Sequence, residues 1–260
     1  MVLLFRSDCV KIYQYKILFK GVDLMIKNKK LLSASIGAFF AVEIALGILL
    51  HTSSGDRVRW FSFASVVLAC LFCTVFAERS RAYLFTQLAL VCTVCADYFL
   101  IITPERQQLP AMIFFSVAQL SYFMRLYIYD ENKPRRVWHV ASRAAVSVLA
   151  VILTFAVLGS SADAVAVISM FYYANLIINI IFAFAEFRKN SIFAIGLLLF
   201  AFCDALIGFA FLDGYLAIPA DSVIYKIVYP GFDLAWAFYL PSQTLLSVSL
   251  WHKKGALSET

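Results

Sequence analysis

Eight apolar runs, each about 20 residues long, leave this chain few ways to fold. They occupy residues 31–50, 60–77, 83–103, 109–128, 141–159, 164–186, 191–212 and 232–251. At ~1.5 Å of rise per residue, a helix of this length crosses the ~30 Å hydrocarbon layer of a bilayer. The bilayer interior offers no water to backbone groups, so such segments must be helical. Composition agrees: 63% of residues are hydrophobic and 15% charged, with a mean hydropathy of +0.84, against about 25% charged in soluble domains. The expected architecture is an all-α integral membrane protein, a bundle of eight transmembrane helices over residues 31–252. A basic segment, 1–30, precedes it and a short tail, 253–260, follows.

Basic residues set the expected orientation. With the N-terminus inside, 18 of the 22 Lys and Arg residues fall on the inner side. These are the seven in residues 1–30, then Arg79, Arg81, Arg125, Lys133, Arg135, Arg136, Arg143, Arg188, Lys189, Lys253 and Lys254. Only Arg57, Arg59, Arg106 and Lys226 fall outside. The positive-inside rule therefore predicts that both termini are cytoplasmic. The net charge of +6 is explained by these loops, and nucleic acid is not an expected partner. In residues 1–30, Val10, Tyr13, Ile17 and Leu24 recur at helical spacing, with Lys16, Lys20 and Lys27 on another face. That pattern suits a helix lying on an anionic membrane surface or, equally, a frayed tail. No cleavable signal peptide is expected.

The polar residues inside the apolar runs carry the functional argument, because ionisable groups at bilayer depth are expensive and usually face a bundle interior. Glu43, Asp97 and Asp204 are such acids; Gln119, Tyr122, Asn175, Asn179, Tyr239 and Gln243 accompany them. Counting residues along each run places Asp97 and Asp204 at nearly one level, slightly outside the midplane. Thr86, Thr93 and Asp97 share a helical face, as do Ser116, Gln119 and Tyr122, the pair Asn175 and Asn179, and the set Tyr239, Gln243 and Ser247. One polar layer, lining a pocket near mid-membrane, is the expectation. The competing reading is interhelical hydrogen bonding that only glues helices together. Glu43 fits either role. The Cys70–Cys73 and Cys92–Cys95 pairs have metal-ligand spacing but lie within apolar helices, where thiols pack as small apolar groups. His51, His139 and His252 fall at helix ends, so no histidine-based triad or zinc site within the bundle is expected. Neither a metal nor a cofactor is predicted.

Four stretches give the sequence a relative. They are Ala96-Asp97-Tyr98-Phe99-Leu100 in the third run, residues 115–122 (FSVAQLSY) in the fourth, residues 196–207 (GLLLFAFCDALI) in the seventh, and Tyr239-Leu240-Pro241-Ser242-Gln243 in the eighth. With these the chain resembles the YhhN/lysoplasmalogenase family of eight-helix membrane proteins, over about residues 31–252. The chain departs from the family pattern at Gln119, where a histidine is expected, and at Asn175 and Asn179, where the family more often has apolar residues. The resemblance implies hydrolysis of the vinyl-ether bond of a lysoplasmalogen, yielding a fatty aldehyde and a glycerophospho-ethanolamine or -choline. Asp97 and Asp204 match the family's two acidic positions and would be the catalytic pair. Gln119, Tyr122, Tyr239, Gln243, Asn175, Asn179 and Glu43 would position substrate or water.

Paired carboxyls suit that chemistry. A vinyl ether hydrolyses by protonation at carbon, which leaves an oxocarbenium-like cation. One carboxylic acid would donate the proton; the second, ionised, would stabilise the cation and take a proton from attacking water, as in glycoside hydrolysis. Two other classes are compatible with paired membrane acids: a proton-coupled transporter of a small polar solute, and a non-catalytic membrane module. Against the first, only Pro241 interrupts a span. Against the second, no signalling domain is visible in the sequence. The expected partners are a lysophospholipid within the bilayer and the surrounding lipids. The expected location is multi-pass, in a plasma or inner membrane or in the endoplasmic reticulum.

Overall fold

The computed structural model describes residues 29–77, 80–130, 133–212, 214–216, 219, 221–229 and 233–250. The basic amphipathic segment up to residue 28 and the tail 253–260 lie outside the described residues. What is described is helical, with no strand among those residues. The helices are α1 (Lys29–Thr52), α2 (Asp56–Phe76), α3 (Arg81–Asp97), α4 (Gln108–Tyr129), α5 (Lys133–Leu158), α6 (Ala164–Ala185), α7 (Phe187–Leu212), the short α8 (Val223–Val228) and α9 (Leu234–Val248). The chain divides at Val42/Glu43 into two compact units; the packing and the site described below belong to the second, Glu43 onward.

Local sequence explains where these helices begin. Gly55, at φ 67°, makes the tight turn into α2 in a conformation that disfavours a side chain. Ser80 caps α3 by accepting from the Tyr83 N–H at 3.2 Å, and Asp163 caps α6 by accepting from the Ala166 N–H at 2.7 Å. That backbone hydrogen bond holds the Asp163 carboxyl below its usual range. Helix α7 begins with a break: Asn190 has φ −131° and ψ 23°, so the regular helix starts at Ser191, as the apolar run does.

Seven of these helices are long and apolar enough to cross a membrane, making this a multi-pass membrane protein. The eighth expected span corresponds to α9, described over only 15 residues. At ~1.5 Å per residue that falls short of ~30 Å. The largest difference from the sequence reading is α5. It starts at Lys133 rather than near 141, with Pro134 in its first turn, where a missing N–H costs nothing. Arg135 and Arg136 therefore lie on a helix instead of in a loop, and Arg143 stands ten residues along that helix instead of at its start.

Packing follows a closed circuit. Helix α2 lies against α3, α3 against α4, α4 against α6, α6 against α7, α7 against α9, and α9 returns to α2. Helix α5 stands outside this ring, packed along α6. Its lipid-side residues Val148, Ile152, Phe155 and Val157 are all more than half exposed, at 60, 57, 53 and 59%, which suits hydrocarbon and not water. Inside the ring, Leu90, Tyr122, Leu176, Phe193, Leu197, Phe200 and Leu246 are fully enclosed. Lipid tails are as apolar as leucine, so close contact and hydrogen bonds hold such helices together. Gly196 shows how: a Cβ there would meet Leu246 Cγ at 3.0 Å and the Leu246 backbone nitrogen at 3.3 Å. The bare glycine lets α7 and α9 touch, and Ser242 Oγ donates to the Gly196 carbonyl at 2.8 Å.

Candidate active site: two aspartates on facing helices

Helices α3 and α7 are three places apart in the six-membered ring, so each faces the other across its interior. Each brings an aspartate. Asp97 is the last residue of α3, and a π turn, Tyr98–Ile102, follows it directly. Such a turn holds an extra residue and is frequent at functional sites. Its loosened carbonyls are gathered by Arg59 of α2, whose Nε donates to Ile101 O at 2.5 Å and whose Nη2 donates to Ile102 O at 3.3 Å and Thr103 O at 3.2 Å. The backbone beyond Asp97 is thereby fixed.

Each acid receives one phenol. Tyr239 of α9 donates its hydroxyl to Asp97 Oδ2 at 2.5 Å, and Tyr172 of α6 donates to Asp204 Oδ2. The Oδ1 atoms remain for a substrate or water. Asp97 is buried and Asp204 half-buried, and the two carboxyls lie within electrostatic reach of each other. A chain of ring contacts connects the two tyrosines: Tyr239 to Phe200, tilted, at 5.5 Å; Phe200 to Phe115, edge to face, at 5.9 Å; and Phe115 to Tyr172, stacked, at 5.4 Å between centroids. The result is two carboxyls, each oriented by an uncharged donor, above an apolar aromatic floor. Counting at ~1.5 Å per residue, the acids sit about 8–12 Å below the ends at which the π turn and α7 finish.

The expected single polar layer is divided. Asp97, Asp204 and Tyr239 come together, with Tyr172 as a fourth member absent from the sequence reading. Asn175, Asn179 and Gln119 form a second group around Arg143 of α5. Arg143 Nη1 donates to Asn175 Oδ1 and Nη2 to Asn179 Oδ1, both at 2.5 Å. Asn179 Nδ2 donates onward to Gln119 Oε1 and to the Gln119 carbonyl, both at 2.9 Å. Asn175 Nδ2 donates to Ser147 Oγ at 3.1 Å and to Phe171 O at 2.8 Å. Asn175 and Asn179 touch a cation rather than the acids, and Gln119 meets Asn179. Sequence counted Arg143 as an inner-side charge at the start of the fifth run, so its reach into the bundle was not visible.

The remaining expected residues stand apart from both groups. Glu43 accepts from Ser65 Oγ of α2, an isolated buried pair. Tyr122 is fully buried against Phe193 at 5.4 Å, near Arg125 and the thiols of Cys70, Cys73 and Cys92. Gln243 is fully buried, and neither end of its amide has a protein partner; the Tyr122 hydroxyl and Gln119 Nε2 share that condition. Buried polar atoms left unpaired cost about 1–3 kcal/mol each, so these are natural contacts for a bound water or a polar ligand atom. Arg125, another arginine counted as a loop charge, is only 3% exposed. It donates to Thr86 Oγ1 at 3.1 Å and Ser249 Oγ at 2.6 Å, tying α4 to α3 and to the end of α9. His139, near the start of α5, is stacked on Phe182 at 3.4 Å and lies 3.4 Å from Asp130.

One signal in the sequence pointed to Tyr172: it precedes Asn175 by three residues and Asn179 by seven, on the same helical face. Nothing in spacing alone separates a tyrosine that meets an acid from one that meets lipid.

No curated protein and no solved structure matches the chain. The profile of the YhhN family matches residues 58–250, a stretch that holds α3 and α7 with both aspartates and α6 and α9 with both phenols; the chain belongs to the YhhN family.

Proposed function

We propose that this protein is a lysoplasmalogenase-like hydrolase that cleaves the vinyl-ether bond of an alkenyl glycerophospholipid by paired-aspartate catalysis. The observation that carries the reading is the meeting of Asp97 and Asp204 across the ring, each with a tyrosine on one oxygen and the other oxygen free. Membership of the YhhN family is consistent with a hydrolase. In the mechanism, one aspartic acid transfers its proton to the enol-ether carbon, and the adjacent carbon becomes an oxocarbenium ion. The other aspartate, ionised, stabilises that cation and accepts a proton as water adds. The hemiacetal then collapses: its C–O bond breaks, the glycerol oxygen leaves as an alcohol, and the aldehyde is released. Tyr172 and Tyr239 keep the carboxyls aimed, and the Phe115–Phe200 floor keeps bulk water from the cation. The acyl-like tail lies among the phenylalanines and enters sideways from the lipid. In this reading α9 completes an eighth span, both termini are cytoplasmic, the substrate comes from the surrounding bilayer, and the acids lie nearer the outer face.

The test is aldehyde release from lysoplasmalogens by purified protein in detergent, beside Asp97→Asn and Asp204→Asn. Losing a proton-transferring carboxyl removes on the order of 10²–10⁴-fold in rate, so each variant should fall to background while its melting temperature stays near wild type. No aldehyde from folded wild type with either ethanolamine or choline head groups rejects the reading.

A further inference from the structure

Helix α5 carries two arginines on its inner half whose charge no carboxylate balances among the described residues. Arg136 lies over the Tyr127 ring at 4.3 Å, and Arg143, two turns deeper, over the Phe123 ring at 4.3 Å. Arg135, beside them, is different: it pairs with Glu186 at 2.6 Å and Asp130 at 3.7 Å. Among the described residues, the hydrogen bonds of Arg143 go to the amide oxygens of Asn175 and Asn179, which fix the guanidinium without neutralising it. The Nε atoms of both Arg136 and Arg143, and Gln119 Nε2 beside Asn179, are buried donors without an acceptor. A cation held by neutral groups at bilayer depth, with spare donors around it, is a site for an anion.

The surroundings say which anion. Because α5 packs on α6, a depression of about 560 Å³ opens along its other side, lined by Tyr127, Arg136, Val137, Val140 and Ala141. Val137 and Val140 are exposed, at 69 and 51%, so one surface is greasy and the other cationic, as a lipid requires. Arg136, Val140 and Arg143 succeed one another at i, i+4 and i+7, which leads from the depression to the Asn175–Asn179 pair. Tyr172, which holds Asp204, is one turn from Asn175 along the same face of α6. At ~1.5 Å per residue that step is about 4.5 Å along the axis, comparable with one glycerol unit.

We propose that Arg143, fixed by Asn175 and Asn179, binds the phosphodiester of a lysophospholipid that enters along α5 past Arg136, so that the first chain oxygen falls at the aspartates. The proposal rests on the hydrolase reading for its substrate but not for its test. Binding is measured with a non-cleavable saturated alkyl-ether lysophospholipid, the matching alkylglycerol without phosphate, and inorganic phosphate, for wild type, Arg143→Gln, Arg143→Lys and Arg136→Gln. Wild type should prefer the phospholipid to the alkylglycerol by at least about tenfold, the scale of one charge-assisted hydrogen bond. Arg143→Gln should lose the preference, Arg143→Lys should keep part of it, and Arg136→Gln should weaken it less than Arg143→Gln does. Equal binding of the two lipids by wild type, or an undiminished preference in folded Arg143→Gln, overturns the proposal. Inorganic phosphate binding as tightly as the phospholipid overturns the lipid assignment. If Arg143 selects the phospholipid yet no lysoplasmalogen is cleaved, the anion site stands and the hydrolase reading falls. If aldehyde forms and Arg143→Gln leaves KM unchanged, the reverse holds.

Discussion

The aspartate pair and the Arg143 group are both charged-residue sites at bilayer depth, yet they are built on opposite plans. At the first, two like-charged groups are placed near one another and supplied with phenolic donors that carry no charge. At the second, one cation is supplied with amide acceptors that carry no charge. Neither site contains the ion pair that would neutralise it, although Arg135 shows that the chain can build one a short distance away. The difference teaches that orientation and neutralisation are separate. Neutral partners fix an ionisable group in space without compensating it: carboxyls at one site, a guanidinium at the other.

Replacing those neutral partners should expose the contrast. The largest expected effect is at the cation. Asn175→Leu combined with Asn179→Leu strands Arg143 without acceptors, and breaking the support of a buried charge costs roughly 3–5 kcal/mol. Thermal unfolding in detergent should show a large loss, and Arg143→Leu added to that background should restore part of it. A double Asn variant as stable as wild type would mean that the amides do not hold the guanidinium. At the acids the same kind of change should act on rate and not on stability. Tyr172→Phe and Tyr239→Phe each remove one donor, and about a tenfold to hundredfold drop in aldehyde release is expected, or ~1.4–2.8 kcal/mol of barrier. Equal melting temperatures with an unchanged rate would break the parallel. The smallest effect belongs to the true ion pair. Arg135 is 35% exposed, so Arg135→Gln should cost no more than about 1 kcal/mol and leave lysophospholipid binding as it was. A loss there equal to that at Arg143 would erase the distinction between paired and unpaired arginines.

Much of this was legible in the sequence, for stated physical reasons. Backbone groups cannot be left unpaired in hydrocarbon, so apolar run lengths located the first seven membrane-span helices, α1–α7. Depth matching brought Asp97 and Asp204 to one level because rise per residue in a helix is nearly constant. Partner choice was not legible. Asn175 and Asn179 were grouped with the acids by depth, but their hydrogen bonds point to α5, and the start of α5 was obscured by its basic first turns. Arginine on a membrane helix near its inner end reads as a loop charge whether it snorkels to water or turns inward. Arg125 and Arg143 turn inward because serine, threonine and asparagine on neighbouring helices accept their hydrogen bonds. Tyr172 was hidden for a related reason: a phenol is amphipathic, and only the neighbour decides which end matters.

The glycine contact between α7 and α9 has a consequence for biosynthesis. The Asp204–Tyr172 half of the site lies on α6 and α7, which are adjacent in the chain and can pair as soon as both have been inserted. The Asp97–Tyr239 half joins residues 142 positions apart, and α9 is the last helix described. Because chains are made from the N-terminus, Asp97 waits in the bilayer without its phenol until α9 arrives and seats on Gly196. A ribosome stalled within the loop before α9 would hold a bundle with one acid dressed and the other bare, so the pair of acids is completed only when the ring closes.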